Sequence, residues 1–136
     1  MAYEFVEHTA DIALRACSPS ERDLFIELVR GMNEYLFGEE AGEEPGVILA
    51  EESVEVHALD EVALIVAWLS KILLFTELHH GRVVIKEISH ISPTAVSAKL
   101  EVVRGEQIED IKAVTYHGLE VLHTPGGVEA CVTFDV

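Results

Sequence analysis

The residues best suited to chemistry stand at the two ends of the chain. One end reads "EHTADIALRA", with His8 and Asp11; the other reads "ACVTFDV", so that the Asp135 side chain lies beside the α-carboxylate of Val136. Termini usually fray. "ACVTFDV" instead alternates apolar and polar residues, which predicts an ordered strand with its last two carboxylates held in place. Asp11 falls where a turn enters a strand, and a terminal strand paired with that N-terminal strand would bring Asp11 to the chain end. Three carboxylates held together need a cation or raised pKa values. A site made only of oxygen donors suits Ca²⁺, Mg²⁺ or Mn²⁺ better than zinc or copper. The alternative is that Asp11 caps a turn through its side chain and Asp135 is merely exposed.

A second unusual stretch is "IKAVTYHGL", with Lys112, Thr115 and His117. Lys112 and His117 are five residues apart, so a regular strand would turn them to opposite faces, and only a β-bulge would change that. As ordinary strand residues they need no function.

Other chemistries lack a motif. There is no GxSxG, Walker A loop or GxGxxG, and neither cysteine has His and Asn companions at a catalytic spacing. "TPGGVE" joins two strands instead of opening a helix, so it reads as a turn and not a phosphate cradle. Among seven histidines, His79 and His80 are adjacent but lack an HExxH context, and they read as a polar helix terminus. His57, His90 and His123 have no partner spacing and read as surface or hydrogen-bonded residues.

A chain of 136 residues suits one domain covering 1–136. Apolar residues make up 49% of the chain, which favours a packed core over disorder. The formal charge of −16 repels phosphate backbones and suits a cation or a basic protein partner, so strong direct nucleic-acid binding is not expected. The apolar peak at residues 62–75 is shorter than the roughly 18–20 residues of a bilayer span and reads as a core helix. No signal peptide is visible at the start. Cys17 and Cys131 lack metal spacing and read as small buried residues in a reducing compartment.

Two strands, "YEFVE" and "IALRACS", open the chain, with Ile12, Leu14 and Ala16 on one face. "SPSE" then predicts a helix start, with Ser18 as N-cap, Pro19 in first position and Glu21 completing a capping box. Leu24, Leu28, Met32 and Leu36 carry that helix to about residue 37, where Gly38 stops it. An acidic loop, "GEEAGEEPG", precedes a strand. Asp60 is placed to cap a second helix, apolar nearly all round, from residue 61 to about 78. Two strand runs joined around Pro93 and a hairpin with "TPGG" at its turn complete the chain. The order predicts an α+β fold with two main helices packed on a mostly antiparallel β-sheet.

"EHTADIALRA", "DEVALIVAWLSKILL", "IKAVTYHGLEV" and "VTFDV", taken in this order over essentially the whole length, resemble the archease family. That resemblance implies a small acidic cytoplasmic protein, not itself an enzyme. It would activate an RtcB-type RNA ligase in tRNA splicing by promoting its guanylylation and multiple turnover. An alternative implied role is a chaperone-like modulator of a tRNA cytosine methyltransferase. The resemblance also implies a divalent metal, calcium first, held by Asp11, Asp135 and Val136. His8, Lys112 and His117 lie in matching motifs, with no firm role implied.

Overall fold

Alternation of apolar and polar residues produces the strands, and their placement follows from which faces must be buried. In a computed structural model, residues 2–7, 11–38 and 46–136 are described; His8 and the acidic residues 39–45 lie outside them. The elements run β1 (Ala2–Glu7), β2 (Asp11–Ser18), α1 (Glu21–Phe37), β3 (Ile48–His57), α2 (Glu61–His79), β4 (Gly81–Ser92), β5 (Ala95–Arg104), β6 (Ala113–Thr124) and β7 (Gly127–Asp135). All pairings are antiparallel. The expected α+β class holds, with the strands divided between two sheets: β1-β2-β7-β6 and β3-β5-β4.

The helices join the sheets. α1 packs on β2, β1 and β7 of one sheet and on β4 of the other; α2 packs on β6 and on all three strands of the smaller sheet. Leu24, Leu28, Met32 and Leu36 form the buried stripe of α1, as their spacing requires. Trp68 of α2 is fully buried, its ring 5.7 Å from that of Phe25, and its indole N–H donates to the Phe25 carbonyl. That bond satisfies the one polar atom of a large buried aromatic and fixes how α2 sits on α1. α1 also covers the free edge of β4. Arg22 donates to the Ile88 carbonyl and Asn33 to the Val83 carbonyl, so two edge acceptors are satisfied.

α2 is nineteen residues long and ends at His79, in agreement with the expected span from 61 to about 78. By length and composition it could cross a membrane. In the fold, Leu64, Trp68, Leu69 and Ile72 are buried in the core, while Leu74 and Leu78 are exposed. Asp60 caps it as expected, accepting from the Ala63 N–H at 2.8 Å. The start of α1 differs from the expectation. Ser20, not Ser18, is the N-cap, and its hydroxyl accepts from the Asp23 N–H. Ser18 is unavailable because it is the last residue of β2, paired with Val128 and buried. The thiol reading also needs correction. Cys17 is exposed, because Ile12, Leu14 and Ala16 take the inward positions of β2 and Cys17, like Arg15, points from the opposite face; Cys131 is half-buried.

Gly127 follows the hairpin turn at φ 143°, where a Cβ would lie 2.2 Å from the Ser18 carbonyl oxygen. The turn can therefore close against β2 only without a side chain. Gly127→Ala is expected to cost about 3 kcal/mol, measured by urea unfolding. A loss within about 0.5 kcal/mol of zero would show that this contact is not needed.

Candidate functional site

The central pairing of the larger sheet joins the two ends of the chain. β2 runs antiparallel to β7 without a register shift, from Ser18 opposite Val128 to Asp11 opposite Asp135. Directly opposed residues project from the same face, with Cα atoms about 4.5–5.5 Å apart. The expected approach of Asp11 to the chain end is therefore realised as a cross-strand pair of aspartates. Like charges directly opposite one another are destabilising. The pair also has an unmet need: Asp11 Oδ1 is buried and has no hydrogen-bond partner among the described residues. A buried carboxylate oxygen without a donor calls for a compensating group.

Neighbouring contacts hold this end of the sheet. The Lys112 N–H donates to the Asp135 carbonyl at 2.7 Å, and Ala113 of β6 lies opposite Asp135 on its other side. The Val136 side chain packs against the apolar core, which anchors its main chain next to Asp135. The structure thus brings Asp11, Asp135, Val136 and the Lys112 backbone together, while the Lys112 side chain is exposed. His8 lies outside the described residues. These donors fit a hard divalent cation: the side chains are carboxylates, two face one another, and one oxygen lacks a partner among the described residues.

His117 sits on a bulge. Thr115 lies opposite Thr133 and Glu120 opposite Cys131, so five steps along β6 match two along β7. The extra residues contain Gly118 at φ 66° with open space around its Cα, and they present Tyr116 and His117 to the exterior. The sequence left the faces of Lys112 and His117 open. The bulge removes the strict alternation that would have decided them.

A separate cluster lies at the far end of the same strands. Glu21 and Glu61 are the first residues of α1 and α2, and His123 is near the end of β6. His123 Nε2 lies 2.8 Å from Glu61 Oε2, and Nδ1 lies 3.8 Å from Glu21 Oε1. The hydrogen bond to Glu61 and its charge, with a smaller contribution from Glu21, raise the His123 pKa above the usual 6.5. His123 was expected to be a surface or hydrogen-bonded histidine without partner spacing, and it is hydrogen-bonded. Its partners come from two other elements, and no sequence spacing relates them. The one available signal was that both glutamates open a helix next to its cap.

Residues 3–136 match the Archease protein family, and the chain belongs to that family. It is 29% identical to the "Protein archease" of Methanopyrus kandleri, across 93% of each chain. The fold is shared with protein 1598 of Methanobacterium thermoautotrophicum, with a TM-score of 0.79 at 23% identity over 98% of each chain. It is also shared with a Thermotoga maritima protein described as an archease and possible chaperone, with a TM-score of 0.66 at 22% identity, covering 96% of this chain and 94% of that one.

The His123 cluster carries a pH prediction. A pKa raised by folding gives stability that is fully present below the unfolded value of 6.5 and is lost as pH rises through the folded value. In protein freed of metal with a chelator, His123→Gln should lower Tm more at pH about 5.5 than at about 8.5, and added salt should shrink the difference. A Tm deficit independent of pH would contradict the ion-pair assignment.

Proposed function

We propose that this chain is a non-enzymatic accessory factor that activates an RtcB-type RNA ligase in tRNA splicing, promoting its guanylylation and repeated turnover. Membership of the archease family supports the partner. The observation that carries the site is the Asp11–Asp135 cross-strand pair with its partnerless Asp11 oxygen. Asp11, Asp135 and the α-carboxylate of Val136 would hold the cation, Ca²⁺ first and Mg²⁺ or Mn²⁺ as alternatives. Bound there, it would supply positive charge between carboxylates that otherwise repel.

The chain's own groups do the positioning. β2 and β7 set the two aspartates face to face, the core contact of Val136 restrains the last residue, and the Lys112 N–H holds the Asp135 carbonyl. The result is an acidic, ordered end suited to entering a partner's nucleotide or metal site. With a charge of −16, the chain serves RNA chemistry through its partner and not by gripping RNA, in the cytoplasm where that chemistry takes place. His8, Lys112 and His117 are assigned no step.

A second reading is a chaperone-like modulator of a tRNA cytosine methyltransferase. It is favoured by the description of the Thermotoga maritima relative as a possible chaperone. It needs neither aspartate.

The test mixes limiting ligase with excess broken RNA, GTP and a divalent metal. Added protein should raise product from about one turnover to many. Asp135→Ala and Asp11→Asn should each abolish the increase while leaving the unfolding midpoint near that of the parent protein. Full activation by Asp135→Ala would remove the proposed mechanism. If the parent protein has no effect on a matched ligase but suppresses aggregation of the methyltransferase, the second reading takes its place.

A further inference from the structure

We infer that Glu21, Glu61 and His123 form a second, independent metal site, selective for Zn²⁺ over calcium. One ligand atom from each of the three lies within 4.8 Å of the others. Zn²⁺ bonds of about 2.0–2.2 Å require those atoms to close by roughly 1 Å, within the reach of side-chain rotation. The donors come from three elements: the first residue of α1, the first residue of α2 and the end of β6. Their positions are set by the fold and not by a flexible loop.

The donor set selects the ion. One imidazole with two carboxylates is a mixed nitrogen and oxygen set, which suits zinc. Calcium needs six to eight oxygen ligands, more than this cluster offers. Two carboxylates and a neutral imidazole carry a charge of about −2, which a divalent ion balances. The helix ends do not compete for these carboxylates, because Ser20 and Asp60 already cap them. Below the cluster, Leu24, Phe25, Leu64, Ile65, Val121 and Val128 line a small apolar pocket that Glu21 and Glu61 border.

The site differs from the aspartate pair in place and in chemistry. Val128 and Asp135 mark opposite ends of β7's pairing with β2, roughly 23 Å apart at the usual rise per residue. With three protein ligands the zinc keeps an open position. The metal would tie both helix N-termini to the β6–β7 hairpin.

The experiment titrates chelator-stripped protein with Zn²⁺ by calorimetry and with Co²⁺ by visible absorption. The samples are the parent protein, an Asp11→Asn/Asp135→Asn double variant, H123A, E61Q and a His79→Ala/His80→Ala control. Parent, double variant and histidine-pair control should each bind about one Zn²⁺ and give Co²⁺ bands of a low-coordinate site. H123A and E61Q should each bind about 100-fold more weakly and lose the bands. H123A is exposed enough to keep its fold, and E61Q leaves the helix cap in place, so either reports if the other does not fold. Undiminished binding in H123A and E61Q, loss of binding in the histidine-pair control, or no Zn²⁺ binding by the parent protein would each overturn the site.

Discussion

The antiparallel pairing of β2 with β7 is the constraint on which the rest of this structure depends. It forms the centre of the four-stranded sheet, with β1 added outside β2 and β6 outside β7. It joins residues from opposite ends of the chain, so it is among the last contacts that local folding could supply. Its inward face pairs Ile12 with Phe134, Leu14 with Val132 and Ala16 with Ala130, all buried. α1 packs on that face. A slip of one residue would turn all of these side chains outward and bring polar ones in, so burial itself specifies the register.

That register has different consequences at its two ends. At one end it opposes two aspartates, an arrangement that hydrophobic burial alone gives no reason to keep. Substituting a neutral residue at either position would relieve the repulsion. At the other end, the close approach of Gly127 to Ser18 places the hairpin against the start of α1. His123 is opposite Val128, so it is carried to the same region, where α2 also begins. One strand pair therefore organises both clusters.

Local features of this fold were legible in the sequence, and non-local ones were legible only where they followed from chain order. The four-residue spacing of Leu24, Leu28, Met32 and Leu36 marked α1, Gly38 marked its end, and Asp60 marked the start of α2. The alternation in "ACVTFDV" marked β7, and its apolar face implied a buried neighbour. Local capping rules favour Ser18, with Pro19 and Glu21 after it, yet Ser20 is the cap. The choice between them was made by Val128, more than a hundred residues away. The division of the strands into two sheets depends on how both helices are shared between them, which no single segment encodes. The bulge at Tyr116–Leu119 carries only Gly118 as a trace, and one glycine in a strand does not reveal how many residues are extra. The aspartate pair was accessible because each member stands next to a chain end. The Glu21–Glu61–His123 cluster was not, because three elements meet there and each residue is ordinary within its own element.

Both clusters are assembled from segments distant in sequence, so neither exists as a preformed set of ligands in the unfolded chain. Any ion bound at either place favours the folded state by an amount that grows with the logarithm of its concentration above Kd. The coupling also runs the other way. Asp11 and Asp135 face one another only while β2 and β7 are paired in register, so a partner that engages this acidic end meets it only on an intact sheet. The buried pairs of β2 and β7 supply free energy that holds Asp11 and Asp135 opposite one another, where the unfolded chain would separate them.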